Sequence, residues 1–144
     1  GAPFALLFQN VREKLSLCYY CASRTDRTKG ILLIDCGVDR DKVEEAREAI
    51  FAELDAVRRG EITGEELNFA RLSLQNSFRS IGESAYSLES FYLAQTLLGL
   101  EETPQDQCDK LERVGREDAA EAAQLVKLDT VYLLTGERGE ESDA

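Results

Sequence analysis

The sequence contains no histidine and no methionine. Without histidine there can be no Ser-His or Cys-His nucleophile pair. The same absence rules out both His-x-x-Glu-His and His-Glu-x-x-His zinc motifs. There is no Gly-x-x-x-x-Gly-Lys phosphate loop and no Gly-x-Gly-x-x-Gly turn. No apolar run approaches the length of a membrane span, so no membrane partner is expected. The opening Gly1-Ala2-Pro3-Phe4 lacks the basic segment and apolar stretch of a signal peptide. Methionine is missing even at position 1, which reads as an excised piece of a longer protein. Positive charge is also short: 17 basic against 28 acidic side chains leave a net charge of −11. A field of that sign repels phosphate backbones and excludes nucleic acid as a partner. It favours basic substrates or partners, although charged helix surfaces are its commoner source.

What is present suits one soluble globular domain. The chain has 144 residues, 43% hydrophobic and 31% charged, enough for a single sizeable core. Its cysteines are Cys18, Cys21, Cys36 and Cys108. A chain with a real core and no secretory signal points to reduced thiols and a cytoplasmic location. The Cys18-x-x-Cys21 spacing invites a metal or redox reading, but it falls in a strand-like run. Residues i and i+3 of a regular strand face opposite sides, so the expectation is buried structural cysteines and no metal site. Carboxylate pairs such as Glu44-Glu45 and Glu65-Glu66 read as solvated helix faces.

Along the chain, residues 4–14 carry helical spacing in Phe4, Leu7, Phe8 and Val11. Residues 17–23 and 31–38 are short aromatic and β-branched runs. The polar stretch between them, residues 24–30, ends in Gly30, which predicts a hairpin with a medium loop. Gly37 suggests a bulge or a close backbone approach. Residues 39–59 form an amphipathic stripe of Val43, Ala46, Ile50, Leu54 and Val57, with Asp39 or Asp41 as its cap and Gly60 as its end. Thr63-x-x-Glu66 is a capping box for a helix with the stripe Leu67, Ala70, Leu74, Phe78 and Ile81. Ser84 starts another helix, carrying Leu88, Phe91, Tyr92, Gln95 and Leu98, and Gly99 closes it. Thr103-Pro104 is a restart with proline in the first turn, and residues 117–126 form an Ala-rich helix. Residues 128–134 read as a strand, and residues 137–144 as an acidic disordered tail. Strands and helices are segregated, which predicts an α+β fold: an antiparallel sheet with helices packed on one face. Residues 1–136 are then the domain.

One segment carries chemistry: Leu7-Phe8-Gln9-Asn10-Val11-Arg12-Glu13-Lys14-Leu15-Ser16-Leu17-Cys18-Tyr19-Tyr20. It resembles the stretch of insulinase/pitrilysin-like zinc metallopeptidases (inverzincins) in which a helix ends in Val-Arg-Glu-Lys and turns into a Gly-Leu-Ala-Tyr strand. Arg12 and Tyr19, seven residues apart, match an Arg and a Tyr that reach substrate from the half of the protein that does not hold the metal. Gly60-Glu61-Ile62-Thr63, Thr103-Pro104 and Leu128-Asp129-Thr130-Val131-Tyr132-Leu133-Leu134 extend the likeness over nearly the whole chain. Two positions depart from it. Ser16 stands where a Gly is usual, and Gly115-Arg116-Glu117-Asp118 lacks the Thr that is usual before its acidic pair. Family domains also have an extra strand-and-helix portion before this start, which implies truncation.

The resemblance implies a metalloprotease-like domain that is inactive alone and binds no cofactor. Zn²⁺ is then expected in an upstream domain of the same protein or in a companion peptidase subunit, with peptide as substrate. Arg12 and Tyr19 become substrate-binding residues. Arg is an always-charged fork of donors and Tyr a phenolic donor, and both suit a carbonyl oxygen that gains negative charge. From the residues alone, Arg12 could instead neutralise a helix C-terminus, and Tyr19 could be an ordinary sheet aromatic. A purely structural companion of the same fold is the alternative function.

Overall fold

The polar run after Ser23 does not end the first strand. In the computed structural model, which describes residues 18–136, β1 spans Cys18–Asp26 and β2 spans Ile31–Val38. They pair antiparallel, with Arg24 opposite Leu33 and Asp26 opposite Ile31. The loop is therefore shorter than the expected residues 24–30. Asp26 explains why: its carboxylate accepts the Thr28 amide at 3.0 Å, the Thr28 hydroxyl at 2.6 Å and the Lys29 amide at 3.1 Å. That closes an Asx-type turn directly on the strand end, and Gly30 completes it in the left-handed region at φ 64°.

A short 3₁₀ turn, Arg40–Lys42, leads from β2 into α1, Val43–Arg58. Its apolar stripe buries Ala46, Leu54 and Val57. Gly60 ends it at φ 72° while the Glu61 amide reaches back to the Ala56 carbonyl at 2.9 Å, a Schellman closure. Helix α2, Gly64–Arg79, starts on the expected capping box. Thr63 Oγ1 accepts the Glu66 amide at 3.1 Å, and Glu66 accepts the Thr63 amide at 2.8 Å. A 3₁₀ turn, Ser80–Glu83, and the cap Ser84 introduce α3, Ala85–Leu97. Helix α4, Pro104–Arg113, opens on the Thr103/Asp106 box, and α5 is Arg116–Leu125. Gly115 has no hydroxyl, so only half of a box forms there: its amide donates to Asp118 at 2.6 Å.

The core gathers one face of the hairpin under α1 and α5. Cys18, Ala46, Leu54, Val57, Ile62, Ala119 and Ala123 are buried together, with Leu32, Ile34, Cys36 and Val38 packed beside them. Helix α2 packs on α4, where Gln75 and Cys108 are buried and bonded to each other's carbonyls. The architecture is α+β, with helices on one face of an antiparallel pair of strands.

One expected element is missing. Residues 128–134 form neither strand nor helix, and Leu128, Val131, Tyr132, Leu133 and Leu134 are exposed, Tyr132 and Leu134 at 82%. A strand exists only with a partner to take its backbone hydrogen bonds. Among the described residues the sheet has two strands, β1 and β2, and neither pairs with this segment. The expected helix at residues 4–14 and the tail at residues 137–144 lie outside the described residues.

Candidate functional site

The hairpin's open end is irregular, and the irregularity places the side chains of interest. Cys18 pairs with Val38, but Tyr20 pairs with Gly37, so the register shifts between Cys18 and Tyr20 and Tyr19 is left without an opposite residue. That is a β-bulge, which bends the strand and re-aims the extra side chain. Tyr19 is 69% exposed, and its hydroxyl donates to Asp39 Oδ1 at 2.5 Å. Tyr20 takes the outer face. Its hydroxyl donates to Asp35 Oδ1 at 3.2 Å, and its ring covers Gly37, where an added Cβ would meet ring carbons at 2.5 and 2.9 Å. The close backbone approach expected at Gly37 is this one. Both phenols are held above the usual tyrosine range, first by hydrogen bonds to Asp39 and Asp35 and then by those carboxylates' charge.

The bulge also corrects the argument about Cys18 and Cys21. In a regular strand they would face opposite sides; with one residue inserted, both turn toward the core. Cys21 lies directly opposite Cys36, and Cys36 is within hydrogen-bonding reach of the thiols of Cys18 and Cys21. Burial raises all three thiols, and Cys21, beside Cys36 and Cys18, is pushed up to about 12. All four cysteines are free thiols. Among the described residues no group of three or more His, Cys, Asp or Glu side chains is arranged to hold a metal ion. No described helix is long and apolar enough to cross a membrane.

Of the two substrate-binding residues expected from the sequence, Tyr19 stands at the hairpin mouth and Arg12 lies outside the described residues. Asp39 enters the site unannounced. It was a candidate helix cap, yet it makes no cap hydrogen bond; its carboxylate turns to Tyr19 instead. No local spacing signals a contact between residues so far apart in sequence.

The chain is similar to known proteins of one family. Residues 3–74 match the family described as "Peptidase M16 inactive domain". The chain is 32% identical over 139 residues to the "Probable inactive metalloprotease YmfF" of Bacillus subtilis (strain 168), covering 96% of this chain and 33% of that protein. It thus spans about a third of that relative's length. A conserved protein from Enterococcus faecalis V583 superposes with a TM-score of 0.73 at 25% identity, covering 85% of this chain and 31% of its own. A protease from Helicobacter pylori superposes at 0.66 with 18% identity over 85% of this chain and 33% of its own; this last match speaks for the fold alone. With half of its residues in that family match, the chain belongs to the peptidase M16 family, as an inactive domain of a metalloprotease-like protein.

Proposed function

We propose that this domain is the substrate-contacting, non-metal-binding half of an insulinase-like peptidase assembly. Arg12 and Tyr19 contact the peptide, and the helices and hairpin wall its chamber. Zn²⁺ is held elsewhere, by an upstream domain of the same protein or by a companion subunit. When bound there it supplies a Lewis acid and an activated water. A reducing, cytoplasmic location belongs to the same reading, and the four free thiols suit it. The observation that carries the reading is the placement of Tyr19. A bulge sets it out of the ladder, and its ring is exposed rather than packed, as a residue that meets a ligand requires.

The test uses the full-length protein with its companion subunit. Arg12→Ala and Tyr19→Phe are each compared with the parent for turnover of a quenched-fluorescent random octapeptide library, or for binding of it where the assembly has no turnover. Losses of about tenfold or more, with unchanged circular dichroism, support the role. Unchanged values in both variants leave a purely structural companion. That second reading has its own support: the relative in Bacillus subtilis carries the word "inactive", and the Tyr19 hydroxyl proton is already engaged by Asp39.

A further inference from the structure

We propose that Asp39 is the positioning residue of Tyr19, and that it makes Tyr19 a hydrogen-bond acceptor for a peptide N–H rather than a donor to a peptide carbonyl. The inference rests on the reading of Tyr19 as a peptide contact and specifies which peptide atom it meets.

Two independent features of the hairpin mouth carry it. The first is that Tyr19 has little else to hold it among the described residues. It is the inserted residue of the bulge, it lacks a cross-strand partner, and it is mostly exposed. An exposed phenol without packing samples several rotamers; here a 2.5 Å bond to Asp39 Oδ1 selects one. Short bonds of a hydroxyl to a carboxylate are the charge-assisted, stronger kind. The second feature is the conduct of Asp39. It sits between β2 and the turn Arg40–Lys42 with extended backbone, φ −64° and ψ 148°, the conformation of an N-cap. An aspartate there ordinarily bonds an amide of the first turn. Asp39 forgoes that bond, and its carboxylate reaches back to Tyr19.

The chemical consequence follows from counting. A phenol has one proton to donate and two lone pairs to offer. With the proton directed at Asp39, no donor remains for a carbonyl oxygen. The lone pairs face away from Asp39, and the donated bond makes that oxygen a better acceptor through hydrogen-bond cooperativity. A peptide amide N–H is the complementary group. The Asp41 carboxylate also acts on the phenol and disfavours an approaching carbonyl oxygen, while an N–H dipole is drawn in.

Two measurements on the intact protein test this. The first is a pH titration of the tyrosine Cζ carbons by ¹³C NMR in the parent and in Asp39→Asn. The Tyr19 signal, assigned by its loss in Tyr19→Phe, should titrate at lower pH in Asp39→Asn; an unmoved titration overturns the pairing. The second is binding of a fluorescein-labelled octapeptide and its singly N-methylated versions to the parent, Tyr19→Phe and Asp39→Ala. One N-methylated peptide should bind the parent about tenfold more weakly, the scale of one lost hydrogen bond. That penalty should vanish in Tyr19→Phe and shrink in Asp39→Ala. If Tyr19→Phe weakens all the peptides but the parent shows no N-methyl penalty, Tyr19 is a donor and the inference fails alone. If Tyr19→Phe binds every peptide as the parent does, the peptide-contact reading fails and takes the inference with it.

Discussion

The ring of Tyr20 lies against the backbone of Gly37 so closely that an alanine Cβ at that position would sit 2.5 Å from Cε1. No unusual backbone angle is needed there; what glycine supplies is room. In Gly37→Ala the ring has to swing away, which breaks the bond from the Tyr20 hydroxyl to Asp35. Overpacking of this kind costs about 1–3 kcal/mol. The cost should fall below half of its value when the alanine is introduced together with Tyr20→Ala, since the clash is then gone. Urea denaturation of the four proteins of this cycle measures it, and equal costs in the two backgrounds would rule the contact out.

The thiols beneath that face should be slow to react. A free cysteine titrates near 8.5, whereas Cys21 is pushed up to about 12 by burial and by Cys36 and Cys18. The reactive thiolate is then scarcer at neutral pH on the order of a thousandfold. Alkylation by iodoacetamide, followed by peptide mass spectrometry, should label Cys21 slower than a free thiol by about that factor. The same shift makes stability depend on pH. A folded-state value raised above the unfolded one favours the native state below pH of about 8.5, and that advantage is lost as pH climbs toward the folded value. The urea midpoint should therefore fall between about pH 8.5 and 11. Tyr19 and Tyr20 shift in the same direction, so Cys21→Ala isolates the thiol by flattening part of the decline. Rapid labelling of native Cys21 would contradict the burial that causes the shift.

Features that depend on a few neighbouring residues were legible in the sequence. The Thr63/Glu66 box, the Thr103-Pro104 helix start and the Gly60 and Gly99 helix ends appear where short-range rules put them. Features that depend on distant partners were not. The apolar run at residues 128–134 has strand composition, but composition supplies no second strand. The Cys18/Cys21 argument assumed an unbroken period of two, and one inserted residue reversed it; Gly37 was its only hint. The hairpin loop was overestimated because Arg24 and Thr25 are polar, although in a two-stranded ribbon polar residues pair as well as apolar ones. At the candidate site, Tyr19 was found through its motif. Asp39 was noticed only as a cap, because its partner lies 20 residues away.

Arg58 ties α1 to the end of α5, and a substitution there separates charge from shape. Its Nε donates to the Ala123 carbonyl at 3.2 Å, Nη2 to the Val126 carbonyl at 2.6 Å, and Nη1 to Asp55 at 2.7 Å. The two carbonyls lie at the C-terminal end of α5, where the Ala123 carbonyl also accepts the Val126 amide at 3.2 Å and Val126 is the cap residue. A guanidinium serves both because its donors are fixed in a fork. Arg58→Ala removes these charged-donor bonds and should cost about 2 kcal/mol. Arg58→Lys keeps the charge, which complements the negative end of the α5 dipole. A single ammonium cannot span both carbonyls and Asp55, so lysine should recover less than half of the loss. Urea midpoints give the two costs, and amide hydrogen exchange locates them: protection should drop in α5 first, ahead of α2 and α4. Full recovery by lysine would mean that charge alone, and not the fork, holds the helix end.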